Sequence, residues 1–233
     1  IVVEVVYHSI WNEPANALLV HLPEKRRSLS GLQGYRNVNV VVNCHIPQAL
    51  WQKLHDPQCD WRKYYRQVLR SSELKDDLSL DSATVLTTGV TMDHLAMREM
   101  KDGNLWSLAL VTAGVERNAL RMGVEAGRHH HPIGTINTIV VPSTELAQAA
   151  MAASFITATE AKVVALEDLG VKSSYTPAYQ ATGTGTDQIV TISGKEERCT
   201  YVSGHTRIGG LMAKAITAAT KGAIIKRRKA LYS

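Results

Sequence analysis

Two long stretches of helical periodicity, 144–169 and 206–231, stand among short runs rich in β-branched residues, and that interleaving restricts the fold more than any other feature of the chain. Runs such as Trp106-Ser107-Leu108-Ala109-Leu110-Val111 and Gln188-Ile189-Val190-Thr191-Ile192 are too short for helices. They have the composition of buried strands. Further strands are expected over 1–7, 17–22, 37–46 and 136–141, with the polar segment 23–31 as a connection. Residues 199–202 are read as the hairpin partner of 188–192, and 81–90 is ambiguous.

Helices are expected over 48–55 and from an Asp60 cap, with Trp61, Tyr64, Tyr65 and Val68 at helical spacing. Ser143 or Thr144 caps the first long helix, and Gly170 closes it. The last helix carries Ile208, Leu211, Met212, Ala215 and Ala219 on one stripe. With 233 residues, no internal repeat and no linker, the chain reads as α/β: a single mixed layered domain of strands alternating with long helices.

The segment Ala181-Thr182-Gly183-Thr184-Gly185-Thr186-Asp187 is harder to explain as packing. Its glycines let the backbone turn tightly, its threonines supply hydroxyls, and Asp187 ends it at the start of a strand. Polar loops at strand ends are where open α/β sheets hold ligands, although a plain Gly/Thr turn fits the local composition as well. No lysine follows the second glycine, so it is not a phosphate-binding loop.

On the first long helix, Lys162 falls on the stripe Met151, Phe155, Ala158, Ala165, Leu166 and Leu169. Glu160 lies about 200° away at 100° per residue. A charge on a buried helix needs a partner. The alternatives are a lysine that reaches solvent and a surface glutamate. His205 precedes the last helix, where the positive end of the helix dipole favours a neutral imidazole. Asn118 and Asn137 border strands and offer paired donor and acceptor to an amide-bearing ligand.

The net charge of +5 is matched by Lys221, Lys226, Arg227, Arg228 and Lys229 alone, so the basic end is expected to be a solvated helix face. A nucleic-acid partner is disfavoured because no aromatic-basic platform accompanies that charge. Cys44, Cys59 and Cys199 fit no disulfide framework or zinc pattern, which points to a reducing, cytoplasmic setting. His129-His130-His131-Pro132 is expected to be an exposed loop, because no Asp or Cys joins it at ligand spacing. No uninterrupted apolar run approaches the roughly 20 residues of a membrane span.

Taken in order, several of these stretches resemble the adenosylcobinamide amidohydrolase family of corrinoid salvage. They are Arg27-Ser28-Leu29-Ser30; Val41-Val42-Asn43; Val111-Thr112-Ala113-Gly114-Val115 with Asn118 and Ala119; Gly134-Thr135-Ile136-Asn137; Thr157-Ala158-Thr159-Glu160-Ala161-Lys162; the 181–187 loop; and Gly204-His205-Thr206 with Gly209. Glu116-Arg117 and the His129 loop are local departures. The resemblance implies hydrolysis of the amide joining an aminopropanol arm to a corrin propionate, giving adenosylcobyric acid and 1-aminopropan-2-ol.

On that reading Asp187, Glu160 and His205 are the acid and base candidates, and Lys162 holds developing negative charge. Ser30, Asn118, Asn137, Thr182, Gly183, Thr184, Gly185 and Thr186 bind substrate, and residues 112–118, 134–138 and 182–187 meet at one cleft. The attacking group is a threonine or water. The cobalt corrinoid is the substrate, no cofactor or metal is required, and the chain is left free to form a homo-oligomer. A non-catalytic corrinoid-binding module is the rival class. Removal of 226–233 is expected to leave hydrolysis within a few-fold of the intact protein.

Overall fold

The computed structural model describes residues 1–54, 56, 58–74, 78–125 and 134–232. Along the chain come β1 (Val2–Ile10), β2 (Glu13–Ser30), β3 (Gly34–His45), α1 (Trp51–Leu54), α2 (Trp61–Arg70), β4 (Ala83–Thr88), β5 (Ala96–Asp102) and β6 (Leu105–Ala113). There follow β7 (Ala119–Leu120), β8 (Ile136–Pro142), β9 (Thr144–Leu146), α3 (Gln148–Asp168), β10 (Gly183–Thr184), β11 (Gln188–Ile192), β12 (Glu196–Cys199) and α4 (Arg207–Tyr232). Eight strands make one mixed sheet in the order β4-β3-β2-β11-β8-β6-β5, with β1 added on β2. Within it only β3/β4 and β8/β11 are parallel pairs. The result is the mixed α/β single domain expected from the sequence.

Side-chain alternation explains the layers. Leu18 and Val20 of β2, Leu110 of β6, and Ile139 and Val141 of β8 all join one inner cluster with Val190 and Ile192. Strands from both ends of the sheet therefore face one another across that cluster. Their neighbours point outward: Ala17, Leu19, Val40 and Val42 pack under Tyr64 and Val68 of α2. Ala109, Val111 and Val140 pack under α3 and α4. Each fully buried Leu, Ile or Val contributes about 1.5–3 kcal/mol. Strands buried on both faces, as here, lose the polar alternation of a half-exposed sheet.

The sheet turns on itself at β2, which continues through residues expected to be a loop. Its pairing with β3 shifts register between His21 and Arg26, where Pro23 has no N–H to offer the ladder. Before the shift β2 pairs only with β1 and β3; after it, Ser28–Ser30 also pair with β11. Cys199 is not in a hairpin with β11: β12 runs parallel to β9. Nor does Ser143 or Thr144 cap α3. Ser143 accepts from the Trp106 N–H at 3.2 Å, Thr144 lies in β9, and α3 starts at Gln148 behind Ala147. The Asp60 cap, accepting from Lys63 N at 3.2 Å, and Gly170 at φ +59° are as expected.

Residues 83–88 of the ambiguous segment form β4, and β5 was not foreseen. The 48–55 helix is a 3-10 turn leading into one α-helical turn, and His55 and the His129–His131 loop lie outside the described residues. The basic end is not simply solvated. Lys226 Nζ donates to Leu95 O at 2.7 Å, and Arg227 Nε donates to Glu116 Oε2 at 2.7 Å. Both α3 and α4 are also long and apolar enough to cross a membrane by length and composition, although 44% and 56% of those windows are buried in the fold.

Candidate functional site

At one end of the sheet, β4 and β6 finish while β8 and β11 begin. Asn137 ties these ends together: its Nδ2 donates to Asn43 Oδ1 at 2.8 Å and to Thr87 O at 2.9 Å. Asn43 Nδ2 in turn donates to Thr112 Oγ1 at 2.9 Å. All three side chains are buried between the two halves of the sheet. Asn137 thus serves as an internal clamp, and its Oδ1 is buried without a protein donor among the described residues.

Beside this clamp opens a cavity of about 320 Å³, lined by Leu32, Trp51, Thr87, Thr88, Gly89, Asn118, Gly134, Thr135, Gly185, Thr186 and Gln188. Segments from all three stretches expected at one cleft are gathered here. The Gly/Thr stretch is partly a strand: Gly183 and Thr184 pair with Leu120 and Ala119. Beyond that ribbon the chain is held by reciprocal bonds. Thr135 Oγ1 donates to Thr186 O at 2.8 Å, and Thr186 Oγ1 donates to Gly134 O at 3.2 Å. Asn118 Nδ2 also donates to Gly134 O, at 2.7 Å, and Asn118 Oδ1 accepts from Tyr175 Oη at 2.8 Å. A Cβ on Gly134 would lie 2.7 Å from Gly114 O, so this crossing of backbones requires glycine.

Behind the Gly185–Thr186 wall, Asp187 accepts from four donors. Oδ1 takes the Thr184 hydroxyl at 2.5 Å and Ile136 N–H at 3.0 Å. Oδ2 takes Thr184 N–H at 3.0 Å and Lys162 Nζ at 2.6 Å. Lys162 reaches this position from α3, and each side chain keeps 12% of its exposure. The ion pair is therefore largely enclosed but still touched by solvent. Gly183 lies directly over it, where an added Cβ would come within 2.7 Å of Lys162 Nζ.

The other sequence candidates are placed elsewhere. Thr182 links the loop to its neighbour, its Oγ1 accepting from Met122 N–H at 2.9 Å. Ser30 is buried and turns the chain after β2, its Oγ accepting from Leu32 and Gln33 N–H at 3.2 and 3.3 Å. Glu160 is exposed on the outer face of α3, beside the exposed Ile156 and Val164, rather than buried against a partner. His205 is exposed before α4. Arg207 there pairs with Asp102, whereas Arg227 lies against Gly114 at the cleft end. Twenty helical residues, about 30 Å, separate those two contacts. The structure unites Asp187, Lys162, Asn118 and the loop but not Glu160 or His205.

Sequence reasoning missed Thr87-Thr88-Gly89, Leu32, Trp51, Gln188 and Tyr175. Only the small polar run after β4 carried a recognisable turn signal. It also missed a group of histidines near the ends of β3 and β4. Burial pushes His45 down to about 4, and burial likewise lowers His8 and His94. Asp93 and Arg227 act on His45 with opposite sign. Among the described residues no cluster of His, Cys, Asp and Glu has the arrangement of a metal site.

Comparison with known proteins follows the same outline. The family model described as CbiZ, adenosylcobinamide amidohydrolase, matches residues 4–231. The chain belongs to that family. An adenosylcobinamide amidohydrolase of Methanosarcina mazei is 27% identical over 206 residues, covering 84% of this chain and 88% of the relative. An uncharacterized protein of Methanocaldococcus jannaschii, MJ1613, is 34% identical over 235 residues, covering 93% and 89%. Among solved structures, the PH0078 protein of Pyrococcus horikoshii OT3 aligns with a TM-score of 0.47 and 14% identity over 96% of this chain and 83% of that one. The family name indicates an amidohydrolase acting on adenosylcobinamide.

Proposed function

We propose that this protein hydrolyses the amide between the aminopropanol arm and the corrin propionate of adenosylcobinamide, releasing adenosylcobyric acid and 1-aminopropan-2-ol for corrinoid salvage. The observation that carries this reading is the Asp187–Lys162–Thr184 network lying behind the Gly185–Thr186 wall of a cavity that also carries the Asn118 and Gln188 amides, inside a chain of this family. A cavity of about 320 Å³ sits at the small end of ligand pockets, which span about 300–1,000 Å³. It takes the amide arm, while the macrocycle rests outside, against lining residues such as the exposed Leu32.

Amide hydrolysis needs an attacking oxygen, a base, a donor for the oxyanion and a proton for the leaving amine. Thr184 is only 4% exposed, too covered for its own oxygen to meet the carbonyl of so broad a substrate. Water is the nucleophile in this reading, and its proton passes toward Asp187 through the Thr184 hydroxyl. Lys162 holds the Asp187 carboxylate in place and steadies the charge that develops beside it. The remaining Asn118 Nδ2 proton and the Gln188 amide supply oxyanion donors at the cavity wall. Water's OH adds to the carbonyl carbon, the C–N bond breaks, and water's proton ends on the departing amine. These steps use protein groups and water alone; the cobalt corrinoid enters as substrate.

The test is incubation with adenosylcobinamide and mass spectrometry of the products. Equal release of adenosylcobyric acid and aminopropanol is expected. Tight binding without either product would favour the non-catalytic corrinoid-binding module.

A further inference from the structure

The helices α3 and α4 lie side by side on the outside of the sheet, and among the described residues their outer face has no partner. On α3, Ala149, Ala152, Ile156 and Val164 are exposed on one arc, with Ile156 64% and Val164 45% accessible. Ile225 of α4 is 41% accessible. A groove of about 550 Å³ runs between the helices, where Met100, Ala161, Val164, Ala213 and Ala218 alternate with polar side chains. A helix apolar around its whole circumference is ordinarily covered on all sides. α3 is apolar on both faces, yet the sheet covers only one.

The charges bordering this groove say what covers it. Glu160 stands on the α3 side and Lys214 on the α4 side, and among the described residues neither has an ion-pair partner. Thr217 Oγ1 donates to Ala161 O, and Lys221 pairs with Asp168 one to two turns further along both helices. The helices therefore run in the same direction, with Glu160 and Lys214 within a turn of the same level. A two-fold axis along the groove would place α3 of one copy over α4 of the other. Each Glu160 would then face the second copy's Lys214, and the apolar arcs would close on each other. Such an isologous contact needs only one self-complementary patch. The face measures about 32 Å along α3 by about 20 Å across two helices. That is about 640 Å², at the lower end of the roughly 600–1,000 Å² per partner of a standard interface.

We propose that the α3–α4 face is the interface of a homodimer, with Glu160 of each copy paired to Lys214 of the other. The acid neither lines the catalytic cavity nor contacts Asp187, so the role of Glu160 is in assembly.

Sedimentation equilibrium on the intact protein tests this. The wild type is expected to be dimeric at micromolar concentration. Ile156→Lys is expected to weaken the dimer by about 100-fold or more, since it buries an unpaired charge at the centre of the contact. Glu160→Lys is expected to dissociate it as well, and Glu160→Lys combined with Lys214→Glu to restore it. Circular dichroism and turnover should match wild type in all three. A monomeric wild type would overturn the proposal, as would a dimer indifferent to both single substitutions. It would also be overturned if the wild type were monomeric in buffer and bound anionic phospholipid vesicles in a manner abolished by Ile156→Lys.

Discussion

Replacing Asp187 by Asn separates what that side chain does for the fold from what it does for the reaction. The amide keeps the size and one oxygen, so the bonds from the Thr184 hydroxyl and Ile136 N–H can persist. Its NH₂ group then confronts Lys162 Nζ and Thr184 N–H, which formerly donated to Oδ2 at 2.6 and 3.0 Å. Hydrogen bonds to a charged partner contribute about 1.5–3 kcal/mol each. Their sum is trimmed because solvent still reaches 12% of both side chains, leaving a loss of about 3 kcal/mol. For a chain of this size that corresponds to a fall in Tm of about 6–12 °C.

Loss of a general base costs about 10²–10⁴ in rate. Thermal melts by circular dichroism and product release by mass spectrometry at 20 °C, well below either transition, read the two effects independently. Adding Lys162→Met removes the stranded ammonium and is expected to recover much of the Tm while turnover stays low. An Asp187→Asn protein that melts lower but turns over within ten-fold of wild type would refute the catalytic assignment. An unchanged Tm would refute the structural one.

Three further outcomes are expected. Gly183→Ala forces a methyl group against the Asp187–Lys162 pair. It should cost about 1–3 kcal/mol in a denaturant melt and lower kcat more than it raises KM. Burial holds the His45 imidazole neutral down to about 4, whereas an unfolded histidine protonates near 6.5. The unfolded chain thus binds the extra proton between those values, so stability should fall as pH drops from 6.5 to 4, and His45→Gln should flatten that part of the profile. Arg227→Ala leaves the largely buried Glu116 without its partner and should lower Tm by several degrees, whereas Lys229→Ala, on the exposed last turn, should not.

The class of fold and part of the candidate site, the Gly/Thr loop with Asp187, Lys162 and Asn118, were legible in the order of the residues. Period and β-branching located β6, β8, β11 and the two long helices, because each buries a face through residues that are neighbours along the chain. The order of the motifs marked the family, and glycines that must lie against Gly114 or the Lys162–Asp187 pair could be seen as unusual before their contacts were known.

Tertiary structure alone decided which charges meet. Helical period put Lys162 on the apolar stripe of α3 and Glu160 about 200° away, but no local rule names a partner for either; the docking of α3 brought Lys162 to Asp187 and left Glu160 outside. The length of α4 was legible, but not which of its ends docks beside the cleft; Arg227 lies there, and His205 is carried with the helix start to the far end of the sheet. The same holds for Arg227: only the docking of α4 against the Val90–Gly114 corner turns a basic terminal residue into the partner of a buried glutamate. Charged side chains pay for burial through partners supplied by distant segments, and those pairings have no period along the sequence.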